Sequence, residues 1–262
     1  MPLTRKPNRE ARLGPQGALL GYSGALAFIA GFVNAVALLL LAFPVGNLTG
    51  VTTQLGMNTA NPLLYEGHIL AAILLGFWGG AVVAGAILGH SQQAPGRRHA
   101  AVLTTQATLL ALAGLGVEET QVKALIEALG VELTAVQALL AAAALGLQNG
   151  LTSSFRGMAI RTTHFTGTVT DLGLMIGRAR THGIEKWKAA ILSLTLILFL
   201  AGGAAGLLIG TWLEGYALLI PATLCATIAA MTSLNARAAK APSTVQRPVQ
   251  RLEQTATAAA AA

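Results

Sequence analysis

Charge is what this sequence has least of: Asp, Glu, Lys and Arg make up 10% of its 262 residues. A water-exposed globule carries roughly 25%, so the polar surface needed to coat one is missing and a soluble enzyme is excluded. Cysteine is almost absent as well. Cys225 stands alone, which rules out an intrachain disulfide and any multi-cysteine metal centre. The 5 histidines are scattered, with no His-x-x-x-His pair among them, so no metal-ligand spacing is visible. No glycine-rich phosphate loop ending in Lys-Ser/Thr occurs, which leaves ATP-driven transport by this chain without a basis. The net charge of +7 lies at the edges of apolar runs and forms no stripe. It therefore reads as a membrane-orientation signal and not as a nucleic-acid footprint.

What the sequence has in quantity is apolar residues, 54% of the total, in long runs that raise the mean hydropathy to +0.63. Six segments are long enough to span a bilayer: Ala18–Ala42, Gly67–Gly89, Ala100–Val117, Leu133–Phe155, Ala189–Leu213 and Tyr216–Leu234. At 1.5 Å per residue each extends about 27–37 Å, against a hydrocarbon core of about 30 Å. Val45–Ala60 and Thr162–Gly177 are shorter and rich in Thr and Gly. If both dip in and return, there are six spans, and every lysine and arginine except Lys123 falls on the side of the two termini. If both cross, Arg97, Arg98, Arg156 and Arg161 move outside. The positive-inside bias selects six spans with both termini cytoplasmic.

Smaller features agree. Glu118, Glu119, Glu127 and Glu132 cluster in the outer loop 118–132, where Val122, Leu125, Ile126 and Leu129 fit a short amphipathic helix that Gly130 would end. Tyr22 and Trp187 fall near the inner boundary, and Tyr65, Trp212 and Tyr216 near the outer one, as aromatic belts do. The basic leader 1–17 precedes a span with no cleavage site, a retained signal-anchor. The Ala-, Thr- and Pro-containing stretch 235–262 reads as a disordered cytoplasmic tail.

The chain repeats itself. GFVNA (Gly31–Ala35) returns as GLQNG (Gly146–Gly150), and NLTGVTTQLG (Asn47–Gly56) as HFTGTVTDLG (His164–Gly173). Gly76, Gly80 and Gly85 are echoed more loosely by Gly202 and Gly206. Residues 18–117 and 133–234 thus form two repeats, each made of three spans and one short Thr-Gly segment, 45–60 or 162–177. Three is odd, so the second repeat lies upside down relative to the first. The expected fold is an all-α membrane protein: six transmembrane helices as two inverted three-helix repeats, each with a re-entrant segment.

The early Gly-x-x-Asn, VGNLTG, GLQNG and TTHFTGTVTDLG together resemble the YoaK-type family of bacterial inner-membrane proteins. The resemblance covers about Ala18 to Leu234. It implies a polytopic protein of the bacterial cytoplasmic membrane and supplies no substrate.

Polar residues at membrane depth are costly and point to function. Asn34 and Asn149 occupy mirrored depths, each approaching the re-entrant segment that follows it; the alternative is a plain interhelical clamp. Gly50 and Gly167 would permit a tight turn from which a short helix such as Val51–Ala60 climbs back, its N-terminus pointing to the midplane. Two such ends would bind an anion or a carbonyl. Asn47, Thr49, Thr52, Thr53 and Gln54 would line the site from outside, and His164, Thr166, Thr168 and Thr170 from inside. Asp171, the one carboxylate assigned to membrane depth, could take a coupling proton or cation; alternatively Thr168-x-x-Asp171 marks a helix start. The expected function is a secondary transporter of a small polar or anionic solute, without cofactor or metal. A channel and a non-transporting partner-binding module are the alternatives. An intramembrane enzyme is disfavoured, since beyond Asp171 and His164 no second acid–base pair is present. Partners are the bilayer and the solute, and the glycine stripes leave homo-oligomerisation open.

Overall fold

The computed structural model describes residues 15–89, 96–118, 120–128, 130, 132–154 and 163–238. The proposed disordered tail lies outside these residues apart from its first positions, as do Arg156, Arg161 and most of the basic leader. Every regular element among the described residues is helical. These are α1 (Pro15–Leu41), α2 (Leu48–Ala60), α3 (Gly67–Leu88), α4 (Arg97–Glu118), α5 (Thr120–Ala128) and α6 (Leu133–Ser153). They continue with α7 (Phe165–Gly177), the single turn α8 (Ala179–His182), α9 (Lys186–Leu213), a 3-10 turn (Glu214–Leu218) and α10 (Leu219–Ala238).

Five helical stretches are long and apolar enough to cross a membrane, the last running from Lys186 to Ala238. That last stretch is not straight. Glu214 adopts φ 48, a left-handed conformation that interrupts the α-helical path and starts the 3-10 turn between α9 and α10. Ala42, at φ 59, ends α1 in the same way. Gly130, at φ 68, follows the end of α5 as expected.

The two halves exchange partners. α1 packs along α9, and α3 along α6. Close approach depends on missing side chains: a Cβ on Gly80 would overlap the Ala143 carbonyl, and one on Gly146 the Phe77 carbonyl. The same pairing recurs across α1 and α9, where a Cβ on Gly202 would overlap the Phe28 carbonyl and one on Gly31 the Phe199 carbonyl. Small residues let backbones touch, and van der Waals contact then replaces the hydrophobic drive that lipid cannot supply. These contacts correct the repeat register. Gly80 answers to Gly202 and Ala84 to Gly206, whereas Gly76 answers to Leu198, which faces Gly24.

The contacts also give helix direction. Gly24, Phe28 and Phe32 meet Leu198, Gly202 and Gly206 in ascending order, so α1 and α9 run parallel. Gly76, Gly80 and Gly150 likewise meet Leu139, Ala143 and Ala84, so α3 and α6 run parallel. Gln106 bonds to Gln148, while Gln137 bonds to the Ala113 carbonyl, so α4 runs against α6. Gly114, near the end of α4, faces Gly215 and Leu218 at the entrance to α10. One end of the bundle therefore gathers the C-termini of α1, α4 and α9 with the N-termini of α3, α6 and α10.

Buried glutamines bind the helices together, a feature missed when the sequence was read. Gln148 Nε2 donates to the Leu26 carbonyl at 2.8 Å, and Gln106 Nε2 donates to Gln148 Oε1 at 2.7 Å. Both residues are fully buried. Gln148→Leu is expected to destabilise the protein by about 1–3 kcal/mol, because the buried Gln106 amide loses its acceptor and the Leu26 carbonyl its second donor. The midpoint of thermal unfolding in detergent would report it, and an unchanged midpoint would show that the network contributes nothing.

Candidate functional site

The two Thr-Gly segments form helices of equal length, α2 and α7, each of 13 residues. Their last residues, Ala60 and Gly177, are those expected. Their beginnings are not. The turns occur before Leu48 and Phe165, so Thr49-Gly50 and Thr166-Gly167 lie inside the first helical turn. Among the described residues the glycines with positive φ are Gly89, Gly130 and Gly183; Gly50 and Gly167 need no left-handed backbone. Their role is room. A Cβ on Gly50 would crowd the side chain of Asn47, and a Cβ on Gly167 would crowd Nδ1 of His164. Each glycine lets the preceding N-cap side chain fold back over the helix end.

The N-caps match closely. Asn47 has φ −103 and ψ 72, and His164 has φ −105 and ψ 62. Asn47 Oδ1 accepts from the Gly50 amide at 3.2 Å, whereas His164 makes no side-chain cap. Each asparagine reaches the segment after it. Asn34 Oδ1 accepts from the Gly46 amide at 2.8 Å, and Asn149 Nδ2 donates to Thr163 Oγ1 at 2.5 Å. Gly46 and Thr163 are themselves equivalent in the repeat, and they meet: a Cβ on Gly46 would sit 3.2 Å from Thr163 Cγ2.

Around that crossing lies a cavity of about 310 Å³. Asn47, Thr49, Asn149, His164 and Thr166 line it, joined by Gly46, Thr163 and Ser153; Leu48, Phe77, Ala81 and Phe165 supply apolar wall. The ring of Phe165 lies tilted against that of Phe199 on α9, with centroids 4.3 Å apart. Among the described residues, those that line the cavity include no Asp, Glu, Lys or Arg. The amides of the first turns of α2 and α7 have no backbone acceptor within the helix, so the two ends add partial positive charge to the cavity.

Other expected site residues lie elsewhere. Thr53 Oγ1 bonds back to the Thr49 carbonyl and Thr170 Oγ1 to the Thr166 carbonyl, both at 2.8 Å, on exposed positions. Thr52 bonds back to the Leu48 carbonyl. A hydroxyl engaged with its own helix is not presented to the cavity. Gln54 is half-buried and, like Thr168, Gly50 and Gly167, does not line the cavity. Asn34 stands behind Gly46 and positions it. Asp171 also lies outside. Because α7 starts at Phe165, Asp171 falls in its second turn, and the capping-box reading of Thr168-x-x-Asp171 fails. Its carboxylate pairs instead with Lys188 Nζ at 3.1 Å, near the start of α9.

One cluster escaped the sequence reading because its members are distant in the chain. Glu66, His68 and Glu132 each offer a ligand atom, all within 4.8 Å of one another, on the exposed surface. Glu66 and Glu132 are the N-caps of α3 and α6 without capping by side chain, and His68 pairs with Glu132. These are the described residues that could hold a divalent cation, with at most three protein ligands.

No curated protein and no solved structure matches this chain. Residues 23–231 match the family described as "Protein of unknown function (DUF1275)", which spans the bundle from α1 to α10 and includes both short helices and the cavity between them. The YoaK-type resemblance is consistent with this assignment. With all-helical described residues and five stretches long and apolar enough to cross a membrane, the chain belongs to the DUF1275 family.

Proposed function

We propose that this protein is a secondary carrier for a small polar or anionic solute, built as six spans in two inverted halves within the bacterial cytoplasmic membrane. The observation that carries this reading is the convergence of the N-caps Asn47 and His164, matched in the sequence repeat, on one cavity. Helix directions support it. α1 ends where α3 begins, so α2 returns to the end it left; α6 ends where α9 begins, so α7 does the same at the other end. The three long helices of the first half (α1, α3, α4) then run opposite to their counterparts (α6, α9, α10), the inverted arrangement that secondary transporters use around a midplane site. Charge supports the orientation: Arg97, Lys186, Lys188 and Arg237 gather at one end of the bundle, and Glu66, Glu132 and Glu214 at the other.

Exposure of the site would alternate as α2 and α7 rock against the long helices. α7 is held to α9 by the Phe165–Phe199 stack and the Asp171–Lys188 pair. Protonation of Asp171 would release the second of these, a route for coupling to a proton.

Cysteine accessibility tests the topology. In a Cys225→Ser background, Thr52→Cys is expected to react with a membrane-impermeant thiol reagent from outside intact cells, and Val169→Cys only after the membrane is opened. Labelling of both from the same side would end the carrier reading. High unitary conductance in planar bilayers would replace it with a channel.

A further inference from the structure

The sequence repeat pairs α2 with α7 position by position, Leu48 with Phe165 through to Ala60 with Gly177. The side chains that seat α2 have different chemistry at the matching places of α7. Val51 is fully buried in the apolar core, and Leu55 packs against that core. The counterpart of Val51 is Thr168, which turns its hydroxyl to the His164 carbonyl of its own helix. Asn58 clasps the far end of α2 to the loop before α3. Its Nδ2 donates to the Tyr65 carbonyl at 2.8 Å, and its Oδ1 accepts from the Tyr65 amide at 2.9 Å. The counterpart of Asn58 is Met175, whose thioether has no proton to donate and accepts only weakly, so it cannot make that clasp.

α7 has a charge where α2 has none. Gln54 is matched by Asp171, which pairs with Lys188 on α9 at 3.1 Å, the two side chains 44% and 37% exposed. An ion pair that open contributes little and is easily parted, whereas two amide hydrogen bonds from one side chain hold together. Beyond Asp171, α7 leaves Leu174 and Ile176 exposed, Ile176 at 71%. Lipid is as apolar as these side chains and gives them no reason to stay against the bundle. His164, Phe165 and Thr166 at the start of α7 line the cavity, so a movement of α7 moves one of its walls.

Resting on the carrier reading above, we propose that α7 is the gate of the cavity: it swings off α9 toward the cytoplasmic face, with Asp171–Lys188 as its latch, while α2 stays seated against α3. The two short helices then divide the work unequally, and the cavity opens more often inward than outward.

Pulsed electron resonance between spin labels tests this on the full-length Cys225→Ser protein in lipid nanodiscs. Labels at Thr59→Cys and Trp78→Cys report α2 against α3; labels at the matching Ile176→Cys and Leu200→Cys report α7 against α9. All four positions are exposed. The α2 pair is expected to give one distance and the α7 pair a second, longer one as a minor population. Lys188→Gln is expected to raise that population about two- to fivefold and to leave the α2 pair unchanged, whereas Asn58→Ala gives the α2 pair a second distance of its own. A longer population on the α2 pair before Asn58 is replaced would overturn the proposal. So would an α7 pair whose distances do not respond to Lys188→Gln. The carrier reading is tested apart from this, by the sidedness of labelling at Thr52→Cys and Val169→Cys, so either can fail while the other stands.

Discussion

Gly80→Ala is expected to lower stability by about 3 kcal/mol, whereas Gly79→Ala, its immediate neighbour, raises it by up to about 1 kcal/mol. The added atom is the same and the surroundings are not. At Gly80 a Cβ would run into the carbonyl and Cα of Ala143, which are backbone and cannot rotate away, so α3 and α6 must separate along their whole contact. At Gly79 nothing lies within 4 Å, and alanine only narrows the unfolded ensemble and favours helix. Gly202→Ala, the twin of Gly80→Ala, meets the carbonyl and Cα of Phe28 and is expected to cost a similar amount. Thermal midpoints of the purified variants, together with the fraction eluting as a single species, measure all three. A stable Gly202→Ala beside an unstable Gly80→Ala would mean that the two halves do not share one packing scheme.

Ala81→Phe is expected to reduce solute uptake by at least about tenfold, equivalent to about 1.4 kcal/mol or more, while leaving the bundle assembled. Ala81 lies on α3 beside Gly80 and lines the cavity together with Asn149 and His164. An aromatic ring there would occupy space that the solute needs and would meet open volume before it met backbone. Uptake or counterflow in proteoliposomes, compared at equal protein incorporation, is the measurement. Normal uptake through Ala81→Phe would separate the cavity from the transport path.

Much of this was legible in the residues. Apolar run length found the long helices because bilayer thickness leaves little choice of length. The ends of α2 and α7 at Ala60 and Gly177 followed from composition, and the approach of Asn34 and Asn149 to the segments after them from their matched places in the sequence repeat. The first turns were placed too late. Thr-Gly was read as a backbone turn because glycine permits one, although its work here is to leave space for Asn47 and His164. Thr53 and Thr170 looked like site residues by composition, but a threonine in a helix can satisfy its hydroxyl on the carbonyl one turn back. Asp171 looked isolated because its partner, Lys188, arrives from the next helix.

The sequence by itself determined that the chain is helical and apolar, where the long helices start and stop to within about a turn, and that its two halves share motifs. These are local properties, set by hydropathy, by caps and by periodicity along one strand of chain. Which helix touches which was decided only in three dimensions: α1 against α9, α3 against α6, the Gln106–Gln148 bond, the meeting of Gly46 with Thr163. Such contacts depend on the rotation and depth of whole helices, and a difference of one residue in register moves a glycine off its carbonyl. The repeat told that two polar ends exist. Packing brought them to one cavity, with Asn34 holding Gly46 and Asn149 holding Thr163 beside it.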